Sequence, residues 1–129
     1  MTPEQLAELC AAHAADRKAA NVVKIDLRGV SGYTDYFVLA TGNTDRQVKA
    51  IHDAINEGLK KEHRILPRRV EGLGESRWVL MDYLDVVVHV FTPDTRDFYR
   101  LEQLWGDVPK HVYEPGQPEL EELRAAAAG

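Results

Sequence analysis

An apolar run at residues 36–40, Tyr-Phe-Val-Leu-Ala, limits the fold more than any other feature of this sequence. Successive side chains of a β-strand point to opposite faces, so a strand that is apolar at every position must be covered on both faces. Residues 85–92 form a second segment of strong β-propensity. These two segments predict a central sheet that is covered on both sides.

The remaining periodicities predict the order α-β-β-α-β-β-α, which is an α/β fold built on a mixed sheet. Helices are predicted at 3–20, from a capping box at Thr44 and Gln47 to about 63, and from a cap at Asp94 to 106. Strands are predicted at 22–27, 36–40, 78–83 and 85–92, and residues 68–71 are compatible with a further extended segment. Only Leu84 or its neighbours separate the last two strands, which predicts a tight antiparallel hairpin.

Composition narrows the class of protein. The chain has 129 residues, 44% hydrophobic and 29% charged, as in soluble globular domains. We expect one domain at 1–108 and a flexible C-terminal tail at 109–129. The single cysteine, Cys10, excludes a disulfide scaffold, and no apolar run approaches the roughly 20 residues that cross a bilayer. A lone thiol and an N-terminus unlike a signal peptide favour the cytoplasm.

The net charge of −5 is unevenly distributed along the chain. Residues 21–70 carry nine basic and six acidic residues, whereas residues 71–107 carry three basic and eight acidic residues. Nucleic-acid binding usually requires a basic surface, because neutralising phosphates supplies the affinity. The acidic segment is also the richest in aromatic residues. This distribution favours a cationic protein partner and predicts little direct nucleic-acid binding.

Motifs for the common catalytic chemistries are missing from the sequence. The five histidines lack HExxH spacing, and neither GxxxxGK[ST] nor GxGxxG occurs, so we predict no catalytic residue, metal site or cofactor. His89 shares a strand face with Val87 and Phe91, which predicts a satisfied, partly buried imidazole. Asp82 and Asp85 lie three apart and could share a divalent ion, although roles in turns and caps are the preferred explanation.

Four sequence blocks occur in the order and spacing of a known family. They lie at 34–42 (Thr-Asp-Tyr-Phe-Val-Leu-Ala-Thr-Gly), 46–48 (Arg-Gln-Val), 78–91 (from Trp-Val-Leu-Met-Asp-Tyr to Val-His-Val-Phe) and 96–107 (from Arg-Asp-Phe-Tyr to Leu-Trp-Gly-Asp). Through these blocks the chain resembles the Iojap family over most of residues 21–107. Leu84 stands where the family usually has glycine, and Thr41 where it often has serine. A leucine at the turn implies a hairpin geometry that differs from the family's.

The resemblance implies a ribosomal silencing factor with a nucleotidyltransferase-like fold that acts by binding. Such proteins bind the large ribosomal subunit through its ribosomal protein fourteen (uL14 type), sterically block joining of the small subunit, and repress translation under nutrient limitation. Free members are commonly homodimers. An assembly or maturation factor for the large subunit, using the same docking surface, is the alternative.

A metal-dependent nucleotidyltransferase that uses Asp82, Asp85 and Asp94 is a distant third hypothesis. Enzymes of that fold would show Gly-Ser followed by an Asp-x-Asp pair that holds metal ions on the triphosphate. In this chain Gly42 is followed by Asn43, and no Asp-x-Asp occurs. The sequence therefore predicts a protein that is not an enzyme.

The partner-binding surface is predicted in the acidic, aromatic segment and in the strand start nearby. Its candidate residues are Asp35, Tyr36, Glu71, Glu75, Trp78, Asp82, Tyr83 and Asp85. This set rests on charge and residue type, because interfaces concentrate their energy in aromatic and charged anchors. The resemblance adds that the family uses a face of its sheet. We expect these carboxylates on the surface, facing a basic ribosomal protein.

Overall fold

The computed structural model describes residues 1–29, 32, 34–99 and 110–112, with only the backbone described for 97–99 and 110–112. The elements of this part are α1 (Pro3–Asp16), β1 (Ala20–Asp26), β2 (Tyr36–Thr41), α2 (Asp45–His63), β3 (Arg69–Glu71), β4 (Trp78–Asp82), β5 (Val86–Phe91), α3 (Pro93–Tyr99) and β6 (Lys110–Val112). The predicted mixed α/β fold is confirmed. The two strands beyond the predicted order, β3 and β6, are three residues long.

One mixed sheet contains all six of these strands, in the order β3-β4-β5-β2-β1-β6. The central pair β2 and β5 is parallel, while every other pair is antiparallel, including the predicted β4–β5 hairpin. Every residue of β2 and of β5 is buried. The prediction that the run at 36–40 is covered on both faces is therefore confirmed, and its position at the centre of the sheet is the reason.

Capping side chains mark where the first two helices begin. Thr2 and Gln5 form a reciprocal capping box at the start of α1. At α2, the Thr44 hydroxyl accepts from the Gln47 N–H, whereas the Gln47 side chain accepts from the N–H of Asn43, one residue before the cap. Helix α1 ends at Asp16, earlier than predicted, and the chain then turns through Lys18, which has φ of +60°.

Helices α1 and α2 pack on one face of the sheet and enclose the larger hydrophobic cluster. This cluster includes Leu9, Cys10, Ile51, Val88 and Val90, all fully buried. The face of β1 that carries Val22 and Lys24 also lies under α1. Lys24 on that face is buried, and its ammonium group pairs with Glu8 at 3.1 Å. The long aliphatic stem and the ion pair make this burial tolerable.

The C-terminal elements differ in detail from the prediction. Helix α3 begins at Pro93, so Asp94 lies in its first turn and is not its cap. The predicted continuation of this helix to 106 lies outside the described residues, as does the side chain of Phe98. Strand β6 pairs antiparallel with β1, so Lys110–Val112 forms an edge of the sheet within the segment that was predicted as a flexible tail.

Candidate protein-binding surface

The second face of the sheet, opposite α1 and α2, has a buried aromatic centre and a partly exposed edge. His89 and Phe91 of β5 lie buried at its centre. Towards the edge strand β3, the β4 residues Trp78 and Leu80 are only half-buried. Exposed Glu71 of β3 pairs with Leu80 in the antiparallel register. This edge therefore combines apolar area with a carboxylate, as protein-binding surfaces often do.

The loop between β3 and β4 packs against Trp78 and presents Glu75. Gly72 has φ of +85°, and a Cβ at this position would collide with the carbonyl oxygen of Trp78. The Ser76 N–H donates to the Gly72 carbonyl at 3.0 Å, and the Ser76 hydroxyl donates to the Leu73 carbonyl at 2.7 Å. Exposed Glu75 thereby lines an open groove of about 540 Å³ together with Trp78. The residues Glu71, Glu75, Trp78 and Leu80 are called the edge surface below.

The indole of Trp78 is oriented by the aromatic centre of this face. Its Nε1–H donates to Nδ1 of His89 at 3.0 Å, and its ring centroid lies 5.8 Å from that of Phe91. Phe37 meets the imidazole edge-to-face, with 4.7 Å between the ring centroids. Burial lowers the pKa of His89 to about 4, so the imidazole is neutral at neutral pH. His89 is more deeply buried than predicted, at 5% exposure, and it is not fully satisfied, because Nε2 has no hydrogen-bond partner among the described residues.

Asp82 lies at the other end of β4 and is not the surface carboxylate that we predicted. It is only 4% exposed. Its carboxylate accepts from the Arg68 guanidinium at 2.9 Å and from the Leu84 N–H at 2.8 Å, and Arg69 lies 3.6 Å away. Burial alone would raise the pKa of Asp82, but these hydrogen bonds and the two cations hold it below its usual value. Asp82 is a structural anchor that joins the β3 segment to the hairpin turn.

Tyr36 and Tyr83 are core residues, so their prediction as surface contacts is corrected. Tyr36 is 1% exposed in the cluster beneath the helices, with Lys24 and Arg28 placed 5.7 Å and 5.2 Å from its ring centroid. Tyr83 is buried in the same cluster. Burial raises the pKa of both phenols. Both rings pack among buried apolar side chains. Residue type alone does not distinguish such buried rings from exposed aromatic anchors.

The structure brings Asp35 and Asp85 together through the backbone. The carbonyl oxygen of Asp85 accepts from the N–H groups of Asp35 and Tyr36 at 2.9 Å and 3.1 Å. Between Tyr83 and Asp85, Leu84 has φ of +77° and is 51% exposed, and the Asp85 N–H donates to the Tyr83 carbonyl at 3.1 Å. The leucine therefore keeps a tight hairpin by adopting the left-handed conformation that glycine favours.

The predicted set is thus divided between two ends of β4. Trp78 and Asp82 are four residues apart on one strand, which is about 13 Å at the usual rise of a β-strand. The edge surface lies at the first end, while exposed Asp85, Leu84 and half-exposed Asp35 lie at the second.

Strand β5 similarly separates Asp85 from Asp94, so these carboxylates do not converge on a metal. Within the described residues, no group of three or more histidine, cysteine or carboxylate side chains could hold a metal ion.

Sequence reasoning missed three features of this region. Leu80 is half-buried beside Trp78, and the alternation of β4 around Trp78 could have identified it. The second is Leu66, which is 61% exposed and lies two residues before the Arg68–Asp82 contact. The third, the hydrogen bond from Trp78 to His89, has no signal in the sequence because it depends on the register of two strands.

Among the described helices, none is long and apolar enough to cross a membrane.

Comparisons with known proteins agree with this architecture. A family model described as "Ribosomal silencing factor during starvation" matches residues 1–128. The ribosomal silencing factor RsfS of Bacillus subtilis is 42% identical over 109 residues, which cover 84% of this chain and 92% of that protein. A mouse protein named for mitochondrial assembly of the ribosomal large subunit is 35% identical over 75 residues, which cover 57% of this chain and 33% of that protein.

A solved structure supports the same assignment. The crystal structure of a protein from Chromobacterium violaceum superposes with a TM-score of 0.79 at 31% sequence identity, covering 92% of this chain and 98% of that chain. The family model spans nearly the whole sequence, and the fold superposes on that of a solved structure. This chain therefore belongs to the family of ribosomal silencing factors.

Proposed function

We propose that this protein binds the large ribosomal subunit through its ribosomal protein fourteen and sterically prevents the small subunit from joining. Translation would then fall under nutrient limitation. Family membership carries the proposal, since the silencing-factor model matches residues 1–128. The acidic character of residues 71–107 supports a basic protein as the direct contact.

The edge surface is the part of the molecule that best fits such a contact. Glu71 and Glu75 are exposed, and they flank the half-exposed ring of Trp78 and the side chain of Leu80. Arg69 pairs with Glu71 and Arg77 lines the groove, so cations are also present here. An aromatic residue beside exposed carboxylates supplies both an energetic anchor and attraction to a basic partner. Asp35 and Asp85 form a second, smaller contact region at the far end of β4. Tyr36, Asp82 and Tyr83 support these surfaces from within.

A sucrose-gradient experiment tests the proposed function. Purified subunits are mixed with increasing protein, and the positions of the protein and of the ribosomal particles are followed. We expect the protein to sediment with the large subunit and not with the small one, and 70S particles to decrease. Equal binding to both subunits, or unchanged 70S at saturating protein, would contradict the proposal.

A matched pair of charge reversals tests the surface. Glu71 and Glu57 have side chains 59% and 50% exposed, and each pairs with one exposed cation, Arg69 at 3.7 Å or Lys61 at 3.4 Å. Glu71→Lys and Glu57→Lys therefore make the same charge change and lose similar ion pairs, but Glu57 lies on α2 behind the sheet. We expect Glu71→Lys to weaken large-subunit binding by about tenfold or more and Glu57→Lys to have little effect. Equal effects would place the contact elsewhere.

Salt provides a second readout of the same contact. Attraction between exposed charges is screened over about 10 Å at 0.1 M ionic strength. Binding of the wild-type protein should weaken as salt rises, and binding of Glu71→Lys should depend on salt less steeply. A salt-independent affinity would show that charge does not contribute to the contact.

A role in large-subunit assembly is the second candidate function. The mouse relative named for that process supports it, and the docking surface would be the same. The two roles separate in cells that lack the protein. An assembly factor's absence should cause precursor large subunits to accumulate during rapid growth, whereas a silencing factor's absence should change translation only after nutrients are withdrawn.

We further propose that the protein has no catalytic activity, works in the cytoplasm and forms a homodimer when free. The lack of an Asp-x-Asp pair and the wide separation of Asp85 from Asp94 support the first point. Magnesium-dependent turnover of nucleoside triphosphates should be undetectable. The dimer rests on the family resemblance, and sedimentation equilibrium of the free protein tests it. A monomer across the working concentration range would contradict it.

A further inference from the structure

His89 is a polar side chain placed inside an aromatic cluster. It is 5% exposed on the central strand β5, and its ring centroid lies 4.7 Å from that of Phe37, 6.1 Å from that of Phe91 and 6.0 Å from that of Trp78. Burying a polar group in such a site is unfavourable unless its hydrogen bonds are made. A phenylalanine or leucine would satisfy the packing of this position, so packing alone does not explain a histidine.

The hydrogen bond to Trp78 determines the state of the imidazole. The indole N–H is only a donor, so Nδ1 of His89, at 3.0 Å, must be the unprotonated acceptor. The ring proton of the neutral imidazole then resides on Nε2, an assignment that follows from the partner. Nε2 is buried, and no hydrogen-bond partner for it is present in the described part of the chain. His89 thus leaves one nitrogen unsatisfied while it accepts a hydrogen bond from Trp78.

Trp78 is the member of this pair that reaches the outside. Its ring is half-buried, next to the groove that it lines with Glu75, and its backbone is held by the close approach of Gly72. With the backbone constrained, the orientation of the indole depends on two side-chain torsions. An acceptor beneath the ring selects the rotamer in which Nε1–H points inward. The rest of the side chain is then left to line the groove.

We propose that His89 is a positioning residue of the docking surface, holding Trp78 through its neutral Nδ1 acceptor in the orientation that binds the large subunit. This proposal rests on the proposed function of the edge surface. His89 does not itself touch the partner, because it is buried. It acts by reducing the number of orientations that Trp78 would otherwise lose on binding, which is preorganisation.

Protonation of His89 would remove the hydrogen bond to Trp78. An imidazolium carries hydrogens on both nitrogens and cannot accept from Trp78. Strands β1 and β2 contribute Val23, Ile25, Phe37 and Leu39 to this buried centre. The buried Thr41 of β2 lies at its margin, where its hydroxyl accepts from the Arg96 guanidinium at 2.7 Å. The described charged groups on the same face include Asp82 on β4, Arg69 and Glu71 on β3, and Arg96 of α3, whose guanidinium lies 5.7 Å from the Phe91 ring centroid. Glu75 and Arg77 line the groove beside Trp78. The imidazole of His89 contacts the rings of Phe37, Trp78 and Phe91, and burial governs its charge state.

A double-mutant cycle between His89 and Trp78 tests this role. His89→Phe keeps an aromatic ring but removes the acceptor, while His89→Asn places a carbonyl oxygen near the position of Nδ1. Because one hydrogen bond contributes on the order of 1 kcal/mol, we expect His89→Phe to weaken large-subunit binding about five- to tenfold. His89→Asn should restore part of that loss. In a Trp78→Phe background, His89→Phe should have no further effect.

Nuclear magnetic resonance of the free protein gives a test that needs no ribosome. In ¹⁵N-labelled protein, Nδ1 of His89 should resonate as an acceptor nitrogen and Nε2 as the protonated one, at neutral pH. The indole N–H signal that disappears in Trp78→Phe should shift in His89→Phe and keep its wild-type position on titration down to pH 5. A proton on Nδ1, or an indole signal that does not respond to His89→Phe, would overturn the proposal.

The outcomes also separate this proposal from the proposed function. Additive effects in the cycle, with normal binding by the wild-type protein, would overturn the role of His89 alone. Unchanged binding by Trp78→Phe would remove Trp78 from the docking surface, and the role of His89 with it, while family function stands. Failure of the wild-type protein to bind large subunits would overturn both proposals, even if the resonances show the expected tautomer.

Discussion

The two faces of the sheet are built for different tasks. The face under α1 and α2 is covered by a continuous apolar cluster in which Ile51, Val88 and Val90 are fully buried. The opposite face has a smaller buried centre, and Trp78 and Leu80 lie half-exposed at its edge. The first face contributes stability through apolar burial. The opposite face buries less apolar area and leaves the side chains of Trp78 and Leu80 partly exposed to a partner.

Both faces of the sheet bury polar groups. On the helix-covered face Lys24 is buried, but its charge is compensated by Glu8 at 3.1 Å. On the open face His89 is buried with Nε2 unpartnered among the described residues. An unsatisfied buried group lowers stability, and natural proteins concentrate such costs at functional sites. The phenol oxygens of Tyr36 and Tyr83, in the cluster under the helices, are likewise buried without a partner among the described residues, so an unsatisfied polar atom does not by itself distinguish the two faces.

The largest difference between the faces should appear on truncating apolar side chains. Ile51→Ala removes a fully buried side chain beneath the sheet, and we expect the free energy of unfolding to fall by about 2–5 kcal/mol. Leu80→Ala, at the half-buried edge, should cost about 1 kcal/mol or less but weaken large-subunit binding. Urea unfolding and gradient binding of both variants measure this. If Leu80→Ala destabilises as much as Ile51→Ala, the edge is part of the core.

Acid should lower the free energy of unfolding through His89, which is buried on the face opposite the helices. Its pKa is lowered to about 4 in the folded protein from 6.5, so between these values the unfolded chain binds a proton that the folded chain does not. The free energy of unfolding should therefore fall as pH falls from 6.5 to 4, by up to about 3 kcal/mol. Urea unfolding across this range measures the loss. His89→Phe is the control, and a pH dependence that persists in it would assign the effect to other groups.

A close contact on the helix-covered face should be sensitive to one methyl group. A Cβ at Gly58 of α2 would collide with the imidazole of His13 on α1. Gly58→Ala should destabilise the protein by about 1–2 kcal/mol, because overpacking exceeds the gain in helix propensity. In a His13→Ala background the same change should become stabilising, since only the propensity gain remains. Thermal unfolding of the four proteins decides this, and the same sign in both backgrounds would contradict the contact.

The smallest expected effect is at the hairpin turn. Leu84 has φ of +77°, a conformation that costs a non-glycine residue roughly 1 kcal/mol. Leu84→Gly should relieve this strain and raise the free energy of unfolding by about 0.5 kcal/mol, after the greater entropy of glycine in the unfolded chain is subtracted. Leu84→Ala is the control, because it removes the exposed side chain and keeps the strain. A destabilised Leu84→Gly protein would show that the leucine side chain packs favourably.

The sequence predicted the candidate surface only in part. Glu71, Glu75 and Trp78 were chosen from charge and residue type, and the structure places them together at an exposed edge. The same criteria also selected Asp82, which is buried because Arg68, 14 residues earlier, reaches it across the β3–β4 pairing. Charge and aromatic character describe what a side chain can do, but not whether solvent reaches it.

Properties that depend on a few neighbouring residues were accessible without coordinates. Periodicity and local hydrogen bonds, which act over a few residues, predict the doubly apolar run at 36–40, the cap at Thr44 and the β4–β5 hairpin. The burial of Asp82 and the acceptor that Trp78 finds in His89 depend on the pairing of segments distant in sequence. The neighbours that surround a residue in the folded protein determine its burial and its hydrogen-bond partners, and strand register decides which residues become neighbours.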